Sequence, residues 1–348
     1  MTRLLIAGDF HWQAGSSHVI AEYVKVAPVL DCEVALAGPL CRLDDQIPTL
    51  LPVVDDLAWG THLVLVFEGR QFLDDRKIEL CERFPRERRI VLDPDAHWGG
   101  PTTLGADDSA GPYGHQQWQE LYRGLSDHVL QPRLGELPDG ARFFPYFGMP
   151  RPVRRPEQAP HPSQLPYELQ YVGANWWRWD ALAALVEAAR SARPPLTRLR
   201  VAGRWWTGTP HPDHLTATSN RPGWLTDRGV SVTGPVPFGK VLAQMAKAAV
   251  TPVLARPLLA HQRLLTPRMF ETVAAGTMPA LPPELAYTTD LYGDEITPFI
   301  LGDDPAEDLA RLLRDAITNR AQLSRIQDRL HQRYNYRRVL AQLLAVTH

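Results

Sequence analysis

Cysteine is scarce. Cys32, Cys41 and Cys81 are the only three in 348 residues; their odd number and the lack of CxxC spacing exclude a disulfide framework or a cysteine-built zinc site. Charge of one sign is missing as well. A formal net charge of −2 gives no overall basic field, so non-specific binding to nucleic acid or to anionic membranes is not expected. Long apolar runs are also absent near the start. MTRLLIAGDFHW has one basic residue and a short apolar run at Leu4–Ala7, too little for a secretory h-region or a membrane span. The expectation is a cytoplasmic protein with reduced thiols and no membrane span. A glycine fingerprint is lacking too. Gly8-Asp9-Phe10-His11-Trp12-Gln13-Ala14-Gly15-Ser16-Ser17 follows the first apolar run without the GxGxxG pattern, which argues against a dinucleotide-binding first domain and an NAD-dependent dehydrogenase.

What is present is a repeated alternation. Apolar runs at Leu4–Ala7, Val34–Ala37, Leu63–Phe67 and Ile90–Leu92 alternate with stretches of helical spacing, as βαβ units on a parallel sheet do. Residues 151–166 have a proline every few positions and almost no apolar content, so they continue neither helix nor central strand and are read as a linker. The pattern then restarts. Strands are expected at Leu169–Val172, Leu199–Ala202, Val230–Thr233, Val250–Leu254, Met278–Leu281 and Phe299–Leu301. Helices are expected at Ala181–Ala189, Lys240–Ala246, Met269–Ala275 and Asp308–Ile317, with one or two more from Ala321. The length exceeds one compact α/β domain. The fold class is therefore α/β with two Rossmann-like domains, 1–150 and 167–330, and a terminal segment at 331–348.

The sharpest local signal is Thr266-Pro267-Arg268-Met269-Phe270-Glu271 running to Gly276. Thr at the cap, Pro just inside and Gly at the end are ordinary helix boundaries. A helix amino end collects unpaired N–H groups and positive dipole, so it suits a diphosphate, and Arg268 adds a charged fork. Glu271, one turn on, shares a face with Arg268 and can accept bonds from ribose hydroxyls; an i,i+3 salt bridge is the alternative. Arg204 follows Gly203 at a strand end, where it either meets phosphate or stacks on Trp205 or Trp206. Six tryptophans between Trp176 and Trp224 are read mostly as core, with one or two rimming a ligand. Asn175 either caps a helix or reaches the ligand.

The segment from Tyr171 onward resembles the C-terminal half of CgeB-type glycosyltransferases, relatives of the retaining GT-B families. The likeness runs through Tyr171-Val172-Gly173-Ala174-Asn175, Val201-Ala202-Gly203-Arg204-Trp205-Trp206, Gly234-Pro235-Val236, Arg268-Met269-Phe270-Glu271 and Tyr334-Asn335-Tyr336-Arg337-Arg338. It implies a GT-B fold whose last helix crosses back to the first domain, with donor and acceptor meeting between the domains. It also implies donor turns at Gly173 and Arg204, a nucleobase pocket at Val236, and a ribose carboxylate at Glu271. Such families carry an acid eight positions before the ribose carboxylate. Here Arg263 stands there, so no sugar-contacting carboxylate is carried over; Arg263 or His261 is left as a diphosphate contact or a solvated loop.

The first domain offers His11, Asp95 and His97 as candidate bases for an acceptor hydroxyl. Imidazole titrates near neutral pH, and Asp93-Pro94-Asp95-Ala96-His97-Trp98-Gly99-Gly100 gathers carboxylates, imidazole and glycines in one loop. A turn-stabilising bond between Asp95 and His97 is the alternative. No second ligand cluster supports a metal, so none is expected, and no cofactor beyond the nucleotide sugar. The expected activity is metal-independent hexosyl transfer from a nucleotide-diphosphate sugar, UDP favoured, to an unidentified acceptor, with a homodimer left open. The rival readings are a nucleotide-sugar epimerase and a non-catalytic nucleotide-sugar-binding protein.

Overall fold

The computed structural model describes residues 1–10, 15–43, 51–68, 73–101, 103–104 and 114–346. The chain divides into two compact units, one of Met1–Gly148 with Tyr334–His348 and one of Met149–Arg333.

In the first unit the strands are β1 (Thr2–Phe10), β2 (Cys32–Ala37), β3 (Arg42–Leu43), β4 (Val53–Val54), β5 (His62–Val66), β6 (Arg89–Leu92), β7 (His128–Gln131) and β8 (Ala141–Phe143). The helices are α1 (Gly15–Val26), α2 (Asp75–Cys81) and α3 (His115–Leu125). The sheet runs β4-β2-β1-β5-β6-β7-β8, with β3 beside the end of β1, and its pairings are parallel. Parallel strands are covered on both faces, which explains why Leu4–Phe10 is buried throughout rather than alternately. Leu5, Ala7, Leu63, Leu65, Val91 and Val129 point to one face, where Phe84, Trp118 and Tyr122 complete the core. The strand order reverses at β1 and β5, and such a reversal opens a ligand crevice at the carboxyl edge.

In the second unit β9 (Tyr167–Val172), β10 (Leu199–Ala202), β11 (Val230–Thr233), β12 (Ala248–Pro252) and β13 (Met278–Ala280) form a parallel sheet ordered β11-β10-β9-β12-β13. Its helices are α4 (Trp179–Ser191), α5 (Val241–Met245), α6 (Pro257–His261), α7 (Pro267–Ala274), α8 (Thr289–Tyr292), α9 (Pro305–Arg314) and α10 (Ala316–Tyr334). Here the order reverses between β9 and β12. Residues 151–166, read from sequence as a linker, lie in this unit and carry two 3-10 turns. Arg155 pairs with Asp328 of α10, and Gln327 Nε2 donates to Arg154 O at 3.2 Å. The run at Phe299–Leu301 is not a strand: a 3-10 turn ends at Phe299, and Ile300 makes a single bridge to Leu281. Pro298 has no N–H to donate to a ladder there.

The last helix, α11 (Tyr336–Ala345), belongs to the first unit. Asn335 caps it, accepting from Arg338 N at 3.0 Å. Tyr336 meets Tyr23 of α1 edge to face at 6.0 Å, and a side chain at Gly148 would press into the Tyr336 ring. Among the described residues no helix is long and apolar enough to cross a membrane.

Candidate active site

A helix that links two neighbouring parallel strands runs against them, so α7, between β12 and β13, begins at the carboxyl edge of the sheet. Thr266 occupies the N-cap position with extended backbone, and Pro267 follows as the first helical residue. The expected cap bond is missing. Thr266 Oγ1 is buried and has no hydrogen-bond partner among the described residues. A buried hydroxyl left in this way costs about 1–3 kcal/mol unless a ligand or water completes it.

Arg268 and Glu271 come together on one face of α7, with Nη1 2.9 Å from Oε2. Glu271 is buried and Arg268 half-buried. Arg268 Nη1 also lies 3.2 Å from the sulfur of Met245 on α5. Met245 packs in an apolar cluster with Val172, Ala202, Val241 and Ala275, against which the half-buried Val236 rests. Val236, Arg268 and Glu271 thus converge through Met245. The sequence reading missed Met245, although its place on the expected Lys240–Ala246 helix was a usable signal. Gly276 ends α7 with φ +68°, as a helix-stopping glycine does.

The turns after β9 and β10 touch backbone to backbone. A Cβ on Gly203 would overlap the carbonyl of Gly173, so glycine at 203 is needed for this approach. Gly173 N donates to Ala202 O at 2.8 Å, and Gly173 O accepts from Trp206 Nε1 at 2.6 Å. Both backbone groups of Gly173 therefore have partners within the unit. Of its two readings, Asn175 takes the capping one in this structure. It is fully buried, its Nδ2 donates to Trp205 O at 3.1 Å and Ser219 O at 2.7 Å, and its Oδ1 accepts from Arg178 N at 3.4 Å. It braces two loops and the start of α4 instead of a ligand. Arg204 is exposed, and its guanidinium has no partner among the described residues. Arg263 is exposed and ion-paired with Asp290 at 2.6 Å, and His261 is exposed at the end of α6.

In the first unit, His11 lies outside the described residues. Asp95 and His97 follow β6 at the carboxyl edge and are both buried. The loop is held by Asp93. Asp93 Oδ1 accepts from His97 N and Oδ2 from Trp98 N, each at 3.0 Å; Tyr122 Oη donates at 3.0 Å and Gln131 Nε2 at 2.7 Å. His97 Nδ1 lies 3.1 Å from Asp93 Oδ1. Burial raises the Asp93 pKa, but the His97 interaction and the other donors outweigh it and hold the carboxyl below its ordinary range. The His97 ring stacks on Trp118 at 4.1 Å, and its Nε2 is shut away from solvent. A base must reach the proton it takes, so His97 is corrected from catalytic candidate to a structural member of this network. Sequence reasoning overlooked Asp93 as its centre. Near it, Ser16 of α1 donates to Glu68, which follows β5. Among the described residues there is no group of three or more His, Cys, Asp or Glu arranged to hold a metal ion.

Residues 178–345 match the protein family described as Glycosyl transferase-like. The whole chain is similar in structure to Anabaena HepE in complex with UDP and glucose, with TM-score 0.64, 11% identity and 99% of each chain covered. It is also similar to an α-glucosyltransferase in complex with UDP-glucose and DNA containing an abasic site, at TM-score 0.62, 11% identity and 99% of each chain. T4 phage BGT in complex with UDP-glucose superposes at TM-score 0.58 with 12% identity, covering 100% of this chain and 99% of that one. The family match spans just under half of the chain, and the neighbours share with it the GT-B fold. No curated protein matches the sequence closely enough to count. At these identities the neighbours establish the GT-B architecture alone.

Proposed function

We propose that this protein transfers a hexose from a nucleotide-diphosphate sugar, with UDP as the nucleotide, to an acceptor hydroxyl. The observation that carries this reading is the amino end of α7, where Thr266 Oγ1 is buried without a partner beside the Arg268–Glu271 pair. A diphosphate seated there would accept from Thr266 Oγ1 and from the backbone N–H of Arg268, the following Met269 N being bonded to Thr266 O, and the Arg268 guanidinium would offset the charge of the departing UDP. Glu271 would accept the ribose hydroxyls, and Val236 with Met245 would give the nucleobase an apolar wall. UDP in the HepE and BGT complexes supports this choice of nucleotide. Leaving-group charge is then balanced by protein, without a metal ion; turnover unchanged by EDTA is the expected result.

The deciding measurement is calorimetric binding of UDP to the wild type and to Glu271→Ala. Two hydrogen bonds to a charged acceptor, each about 1.5–3 kcal/mol, predict a loss of at least about a hundredfold in affinity. Equal affinities would remove Glu271 from the site and the proposal with it. An epimerase is separated by incubation with UDP-glucose alone, since it would release an isomer without acceptor.

A further inference from the structure

Two tryptophans stand where glycine would be less strained. Trp177 and Trp205 have φ of +54° and +63°, in the left-handed region that a bulky side chain avoids. They lie in the loops after β9 and β10, at the carboxyl edge of the second sheet. Residues held in such conformations persist only when the surrounding structure fixes them, and they concentrate where a side chain has a task.

The two rings belong to one cluster. Trp176 lies 5.1 Å from Trp177, 5.6 Å from Trp205 and 4.8 Å from His214; Trp205 is 5.4 Å from His211, and the two imidazoles are 5.0 Å apart. The segment bringing the imidazoles is pinned in place. Thr218 Oγ1 accepts from His211 N and donates to His214 O, each at 2.8 Å, and Trp177 N donates to Ala217 O at 2.7 Å. All five rings are half-buried. Trp206, by contrast, is 1% exposed and serves as core.

A half-exposed indole presents a flat, electron-rich face, and an imidazole beside it offers N–H and N groups at the edge. A pyranose has the complementary form, with a C–H face and a rim of hydroxyls. The cluster also lies within range of the proposed diphosphate. β9 stands between β10 and β12, so the ends of β10 and β12 are about 10 Å apart, and Arg178 Nε ties the loop after β9 to Leu254 O after β12 at 3.0 Å. Arg263, where related families carry an acid, is engaged with Asp290, which leaves hexose recognition to another part of the unit.

We propose that Trp176, Trp177 and Trp205 form a stacking platform for the hexose of the nucleotide-sugar donor, with His211 and His214 meeting its hydroxyls. This rests on the donor reading above. It explains why residue 205 is not glycine: the ring is used, and the backbone is held to present it.

The test is calorimetric binding of UDP and of UDP-glucose, UDP-galactose and UDP-N-acetylglucosamine to the full chain. Wild type is expected to bind the best of the three sugars about fivefold more tightly than UDP, the range that ring stacking provides. Trp205→Gly and Trp176→Ala are each expected to bring that ratio close to one while the UDP affinity stays the same. Trp205→Gly also relieves the left-handed backbone, so its melting temperature should hold or rise; a tryptophan with a purely structural role would lower it. A ratio preserved in both variants, a lowered melting temperature for Trp205→Gly with the ratio intact, or a wild type that prefers no sugar over UDP overturns the platform alone. Failure of wild type to bind UDP at all overturns the donor reading and the platform together.

Discussion

Asp93 shows how a residue can govern a site without touching a ligand. Four donors, two of them backbone amides of its own loop, converge on its carboxylate, and this fixes how the segment carrying Asp95 leaves β6. A folded-state pKa held below the usual range means that the carboxylate stabilises the protein at neutral pH. That contribution is present above the unfolded value of about 4 and is lost as pH falls through the depressed folded value. Asp93→Asn is therefore expected to be about 1–3 kcal/mol less stable than wild type at pH 7, with the gap narrowing toward pH 3; urea midpoints at the two pH values check it. For Asp95 we propose the complementary role, that of the base. As the remaining described base candidate at this edge, its replacement by Asn should lower turnover by about 10²–10⁴ and leave UDP affinity alone. Unchanged turnover would assign the acceptor proton to the departing phosphate oxygen. The carboxylates were visible in the sequence, but the hold of Asp93 on the loop was not, because spacing alone does not tell which distant side chains a carboxylate will meet.

The strands of the second sheet set the geometry at the scale of elements. Gly203 lies against Gly173 so closely that any side chain would collide with backbone, which cannot rotate aside. Gly203→Ala is expected to part the β9 and β10 turns and to weaken UDP-sugar binding by about a hundredfold, the cost of shifting positioning groups by roughly 1 Å; calorimetry against wild type measures it. Much of this sheet was legible beforehand, since runs such as Leu199–Ala202 and Val230–Thr233 are apolar and bounded by glycine. The start of α7 was legible from Thr266-Pro267, although the orphaned hydroxyl was not, because a cap residue ordinarily bonds its own helix. β7 and β8 escaped notice: HVLQ and ARF are short, mixed segments that gain their burial or pairing from neighbours far away in the chain. α3 was missed within a polar stretch, although Trp118, Tyr122 and Leu125 follow the helical period.

For the whole molecule, the two units have separate roles in the proposed reaction. UDP should protect backbone amides in Met149–Arg333, above all around α7 and the turns after β9 and β10, and leave β1, β5 and β6 unchanged; hydrogen exchange with and without UDP tests this. Protection centred in the first unit instead would place the donor on the wrong half of the chain.

The return of α11 bears on how the protein is made. Residues 149–333 are continuous and can settle as soon as they emerge from the ribosome, whereas the surface of α1 that meets Tyr336 stays bare until that residue has been made. At about 5–20 residues per second, that wait is roughly fifteen to sixty seconds. During synthesis the half made first is completed last, and a stop codon before Tyr336 would release a chain whose later half is complete and whose earlier half never closes.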